Sequence, residues 1–181
     1  MFGLNMVVNK GKTIFVGDTS VHEYPSSEQL SQIAISSARV VRLFGFDPKV
    51  AFVSHSTFGQ PLTSRTKHIK EAVDILKEKN VNFEFDGDMQ PDVALDEEYK
   101  SLYPFSKIVG NANILIMPGQ HSAAISYKML KTFGDTKVIG PLLIGLGLPI
   151  EIAPLRSSVS EIINLASIAA YSADVIKYKK N

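Results

Sequence analysis

Two polar loops carry the residue types that could do chemistry. Ser54-His55-Ser56-Thr57-Phe58-Gly59 groups three hydroxyls, an imidazole and a flexible glycine. Pro154-Leu155-Arg156-Ser157-Ser158-Val159-Ser160-Glu161 places a guanidinium beside two serines. In the second loop Ser158 and Glu161 stand in the S-x-x-E register of a capping box, so a helix is expected to start there. Its free N–H groups and the Arg156 charge would suit a phosphate; the plain alternative is a capped helix with a solvated arginine. A nucleophilic serine is disfavoured, because neither G-x-S-x-G nor S-x-x-K surrounds these serines.

Other chemistries lack their residues. There is no cysteine, which removes disulfides, thiolate metal sites and a thiol nucleophile and fits a reducing compartment. His22, His55, His68 and His121 adopt no recognised ligand spacing, so no metal site is expected. Asp86, Asp88 and Asp92 in DGDMQPD lack the glycine and glutamate of an EF-hand loop and read as turn and helix-start carboxylates. No G-x-G-x-x-G follows a strand and no P-loop occurs. The 181 residues carry 19 basic against 18 acidic side chains, a net charge of +1, with 45% hydrophobic residues. That balance describes one globular domain with no electrostatic footprint for nucleic acid, the only basic run being Lys177, Lys179 and Lys180. Val138–Ile150 is too short and too rich in glycine and proline to span a bilayer. The N-terminus has no signal-peptide pattern, so a cytoplasmic location is expected.

The elements that position these loops follow from periodicity. Phe2–Val8 and Thr13–Val16 flank Asn9-Lys10-Gly11-Lys12 and predict a hairpin. Ser26-x-x-Gln29 opens a helix whose apolar stripe stops at Gly45. Lys49–Ser54 reads as a buried strand, Ser64–Lys79 as a helix, Asn82–Phe85 as a strand, and Pro91–Tyr99 as a helix with proline in its first turn. Asn113–Met117 follows as a central strand and His121–Phe133 as a helix ended by Gly134. Val138–Ile144 and Pro149–Ala153 read as closing strands, and Ser158–Tyr178 as a long helix with Ile162, Leu165, Ala169 and Val175 inward. The alternation predicts an α/β layer fold with a mostly parallel sheet and flanking helices.

Several stretches in order carry a resemblance: FVGDTSVHEYPSSEQL from Phe15, KVAFVSHSTFG from Lys49, FDGDMQPDVAL from Phe85, IVGNANILIMPGQHSAAISYKMLKTFG from Ile108 and VIGPLLIGLGLPIEI from Val138. Together they resemble the second half of the phosphate acetyl/butyryltransferase family. MPGQHSAAISYKML, IGPLLIGL and SSVSEIINLASIAAY look most like the carboxy-terminal, phosphotransacetylase-like domain of bacterial NADP-dependent malic enzymes. The resemblance implies an isocitrate/isopropylmalate-dehydrogenase-like fold, with residues 1–181 as one domain forming the second half of a phosphotransacetylase-like unit. It also implies CoA or acetyl-CoA as ligand, a homodimer, and NADP and a divalent metal only in a malic domain outside this chain. No nucleic acid or membrane partner is implied.

The departures from the family decide the expected function. A Ser-Arg pair that meets CoA and acyl phosphate, and an Asp proposed as base, align with Pro154, Leu155 and Glu161. Proline and leucine cannot supply the hydroxyl and charge that acyl-phosphate chemistry needs. Arg156, shifted by one residue, and Glu161 would be the catalytic groups if activity survived. The expectation is therefore a regulatory, acetyl-CoA-sensing and dimer-forming module of a malic enzyme, with Ser56, Thr57, Arg156, Ser157 and Ser158 as the ligand-binding candidates. An active phosphate acetyltransferase is the alternative and a purely structural assembly domain a third reading. Acetyl-CoA separates the three by turnover, binding without turnover, or no binding.

Overall fold

The computed structural model describes residues 1–133 and 135–178, with side chains through 174. Strand β1 (Phe2–Asn9) turns through Lys10 and Gly11, both at positive φ, into β2 (Lys12–Gly17). This two-residue turn matches the twist of the antiparallel pair. Helix α1 (Ser27–Leu43) begins at a complete Ser26–Gln29 capping box and ends before Gly45 at φ +84°. Then come β3 (Lys49–Val53), α2 (Ser64–Glu78), β4 (Glu84–Met89), the short helices α3 (Pro91–Leu95) and α4 (Glu97–Lys100), β5 (Ile114–Ile116), α5 (Gln120–Thr132), β6 (Lys137–Ile144) and α6 (Val159–Tyr178).

The six-stranded sheet has the order β4-β3-β5-β2-β1-β6. β4, β3, β5 and β2 run parallel; β1 is antiparallel to both β2 and β6. The α/β expectation therefore holds. Alternate strand residues feed two cores: Val50, Phe52, Ile114 and Ile116 pack with Leu30, Ile33, Ile69 and Leu76 of α1 and α2. Ala51, Val53 and Leu115 pack with Val93 of α3 and Ala123 of α5 on the other face.

Several sequence expectations need correction. The helix expected over 91–99 is two helices, because Asp96 is extended (φ −129°, ψ 123°) and its side chain caps the Glu98 N–H at 2.9 Å. The strand expected over 82–85 lies later, at Glu84–Met89, and includes Asp86 and Asp88, whose carboxylates find backbone N–H partners. Residues 149–153 form no strand; one bridge joins Leu142 to Glu151, and Pro149 offers no N–H to extend the pairing. On α6 Leu165 is buried, whereas Ile162 is exposed and Ala169 is half-buried. Gly134 as helix end, the inward placement of Val175 and the solvated Lys177, Lys179 and Lys180 fall outside the described residues or side chains.

Candidate functional site

Parallel strands leave their loops at one edge, and ligands of open α/β sheets bind at the carboxyl ends of the strands. Here the segment after β2, the loop after β3, the Pro118-Gly119 turn after β5 and the first turns of α2 and α5 surround a cleft. It consists of two recesses of about 240 and 290 Å³ that share Tyr24, Arg65, Ile69 and Pro118. Leu30 and Ile69 give an apolar floor; Ser54, His55, His68 and His121 add polar groups. Gly119 permits the close packing of the rim, since a Cβ there would lie 2.4 Å from the Glu23 carbonyl oxygen.

Buried carboxylates fix the loops of this edge. Asp18, 1% exposed, accepts from the backbone N–H groups of Gly3 (2.9 Å), Ser20 (2.8 Å), Val21 (3.1 Å) and His22 (2.8 Å). His22 Nδ1 lies 2.6 Å from its other face, giving an oriented imidazole. Burial pushes the Asp18 carboxyl up, but the bonds from Ser20, Gly3 and His22 outweigh it and hold the group below the usual range. Asp88, 3% exposed, accepts from the Ser54 and Ser56 hydroxyls and the Gly59 N–H. It anchors the loop after β3 much as Asp18 anchors the segment after β2.

That anchoring defines the first candidate loop. The Ser56 hydroxyl is buried and donates to Asp88, and Thr57 Oγ1 accepts from the Gln90 N–H at 3.3 Å, so both are engaged within the protein. What this loop turns toward the cleft is Ser54 and His55. The sequence reading missed Tyr24 and Arg65, whose guanidinium lies 4.9 Å from the tyrosine ring centroid. It also passed over Asp18-x-x-x-His22 and His68-x-x-Glu71, which do form pairs, the second at 3.9 Å. The i, i+4 spacing just after β2 and the i, i+3 spacing within α2 were the available signals. Among the described residues no three His, Cys, Asp or Glu side chains gather as a metal site. Asp86 and Asp88 are buried strand residues, not turn carboxylates: the Lys107 N–H donates to Asp86, and the Gly59 N–H and the Ser54 and Ser56 hydroxyls donate to Asp88.

The second candidate loop lines a different recess. The capping box at Ser158 is present: Ser158 N–H donates to Glu161 at 2.7 Å and Glu161 N–H to Ser158 Oγ at 3.2 Å. Lys131 Nζ donates to the same carboxylate at 2.8 Å. Lys131 and the two Ser158 donors hold the Glu161 carboxyl down to about 2. Arg156 is exposed and, among the described residues, meets no carboxylate; Leu155 is fully exposed. Ser157 borders a cavity of about 60 Å³ with Asn5, Tyr127, Lys131, Pro154 and Glu161. The Asn5 amide nitrogen and the Ser157 hydroxyl are buried there without a protein partner. Such a cavity holds water-sized groups rather than a cofactor. Ser56 and Thr57 are thus placed at one edge, and Arg156, Ser157 and Ser158 at the start of α6, without a shared lining.

The family model described as phosphate acetyl/butaryl transferase matches residues 1–170. An NADP-dependent malic enzyme of Rhizobium meliloti is 44% identical over 96% of this chain, which spans 23% of that protein. A phosphate acetyltransferase of Clostridium acetobutylicum is 35% identical over 88% of this chain and 49% of its own length. The crystal structure of a phosphotransacetylase from Streptococcus pyogenes superposes with a TM-score of 0.88 at 30% identity, covering 95% of this chain and 53% of that one. The chain therefore spans about a quarter of the first relative and about half of the other two.

Proposed function

The chain belongs to the phosphate acetyl/butaryl transferase family, and from that premise we propose that it is a non-catalytic, acetyl-CoA-sensing and dimer-forming module of an NADP-dependent malic enzyme. The parent reaction is oxidative decarboxylation of malate to pyruvate and CO2. Residues 1–181 serve as the second half of a phosphotransacetylase-like domain. NADP and a divalent metal act in a malic domain outside these residues, as the likeness to NADP-dependent malic enzymes implies. A cytoplasmic location is part of the same proposal. Of the structure itself, no described helix is long and apolar enough to cross a membrane.

The observation that carries the reading is the state of the three positions at which the family places its chemistry. Pro154 has no hydroxyl, and Leu155 projects fully into solvent with no charge. Glu161 is engaged by Lys131 and by the Ser158 cap, and its low pKa makes it a poor proton acceptor. A phosphate of acetyl-CoA is expected either near Arg156, Ser157 and Ser158, beside helix-start N–H groups, or near the Ser56–Thr57 loop, which turns Ser54 and His55 toward the cleft. Exposed apolar side chains on α5 and α6, among them Ile125, Met129, Ile162 and Ile163, support a homodimer.

The direct test is thioester formation from acetyl phosphate and CoA. The expected result is no turnover. Robust formation that disappears in Arg156→Ala would install Arg156 as a shifted catalytic arginine and return the chain to the phosphate acetyltransferases. Light scattering checks the dimer; a strictly monomeric mass for folded protein at micromolar concentration would contradict it.

A further inference from the structure

We propose that residues 146–158, the segment that carries Arg156 and Ser158, are held against β6 by a protonated Glu151 and released when that carboxyl ionises, a pH-sensitive latch on the loop before α6. The segment has little else to hold it. Among the described residues its one backbone pairing with the sheet is the bridge between Leu142 and Glu151. Pro149 and Pro154 bring no N–H that could add to it. From 147 to 156 only Pro149 and Glu151 are withdrawn from solvent, while Leu148, Ile150, Ile152 and Leu155 are exposed. The acid is thus turned inward and its apolar neighbours outward, the reverse of the usual preference. Behind the segment, the Asn5 amide nitrogen and the Ser157 hydroxyl border a cavity without a protein partner, so no polar pair fastens it there.

The placement of Glu151 suits a neutral carboxyl. Its Oε2 is shut off from water and has no hydrogen-bond partner. An ionised carboxylate in that position gives up hydration and gains neither cation nor donors in exchange. Burial raises the group from 4.5 to about 7, the Leu143 N–H offsetting part of the cost. The charges around it offer no compensation. β1 carries no charged side chain, and β6 carries Lys137 alone, at the end of the strand away from Leu142. On α6, Glu161 is held by Lys131 and Asp174 is exposed; in the segment itself Arg156 is exposed, and the Met1 nitrogen lies beside Gly145. Among the described residues no cation pairs with Glu151. None of His22, His55, His68 and His121 belongs to β1, β6, α6 or the segment, so histidine titration does not supply the response. A carboxyl raised by docking favours the docked state at low pH: docking is strongest below about 4.5, weakens as pH rises, and stays weak above about 7.

The test is NMR on the 181-residue chain at pH 5 and pH 8. The Glu151 side-chain carboxyl carbon is expected to titrate near 7. The ratio of docked to released segment, read from the amide shifts and heteronuclear NOEs of residues 146–158, is expected to fall roughly ten- to a hundredfold between the two conditions. Glu151→Gln keeps the shape of the neutral acid and is expected to stay docked at both, whereas Glu161→Gln, a change in the neighbouring cap, keeps the wild-type response. Thermal melts establish that each variant folds, and the wild-type titration decides the case if one does not. A Glu151 midpoint below 5, a segment unchanged between the two conditions, or a wild-type pH response in Glu151→Gln overturns the latch. Its consequence for ligand rests on the reading above: if Arg156 and Ser158 meet a phosphate of acetyl-CoA, Glu151→Gln binds acetyl-CoA more tightly than wild type at pH 8 and equally at pH 5. Equal affinity at pH 8 places the phosphate elsewhere and leaves the latch standing. No acetyl-CoA binding by either protein overturns the sensing function and not the latch.

Discussion

The edge built on Asp18 and Asp88 and the segment from Gly145 through the first turn of α6 hold polar groups in opposite ways. At the edge, backbone and hydroxyl donors converge on two nearly inaccessible carboxylates, so the loops bordering the Tyr24–Arg65 cleft have one geometry. In the later segment a single bridge at Glu151, a surface capping box and one exposed ion pair do the same work, while Leu148, Ile150, Ile152 and Leu155 face water. The contrast separates groups fixed by buried carboxylates from groups held only by contacts at the surface. Preorganised groups bind at lower entropic cost, so the cleft is expected to dominate affinity and the Arg156 loop to respond to occupancy.

The largest effect that could break this contrast is Asp18→Ala. It strands buried N–H groups from both ends of the β1–β2 unit and is expected to cost about 3–5 kcal/mol in denaturant unfolding. Because the Asp18 carboxyl lies below its usual value of 3.8, its contribution is present above that pH and is lost on acidification through the folded-state value. Asp88→Ala comes next, about 2–3 kcal/mol, with faster amide exchange confined to residues 54–59.

Glu151 sharpens the comparison from the other side. Burial raises its carboxyl to about 7, the Leu143 N–H offsetting only part of this. A raised acid has the opposite sign to Asp18: stability falls as pH rises from about 4.5 toward 7 and the penalty persists above. Glu151→Gln is expected to be more stable than wild type at pH 8 by about 1–2 kcal/mol, discounted for contact with water, and equal to it at pH 4. A flat wild-type profile over this range would show that Glu151 finds a partner. The smallest effect is Ser158→Ala, about 1 kcal/mol or less, since it removes one cap on a surface helix.

What the sequence displayed was local. The Ser26–Gln29 and Ser158–Glu161 boxes and the Lys10-Gly11 turn are complete within four residues, and each was readable because its partners are adjacent in the chain. The alternation of strand and helix likewise gave the layers. Asp18 and Asp88 were not legible as anchors, because Gly3, Ser54 and Ser56 reach them only after the sheet assembles. Arg65 was legible only as a residue of the expected Ser64–Lys79 helix, because Tyr24, distant in the chain, meets it only in the folded structure. Conversely, Ser56 and Thr57 had the right residue types for a ligand loop, yet Asp88 and Gln90 engage them first.

Binding of acetyl-CoA without acyl transfer is tested by calorimetric titration of acetyl-CoA into the chain with inorganic phosphate in excess. The expected trace is a saturable heat that returns to baseline after each injection, with no acetyl phosphate in the cell afterwards. A sustained heat flow with accumulating acetyl phosphate and free CoA, or no heat of binding at all, would contradict it.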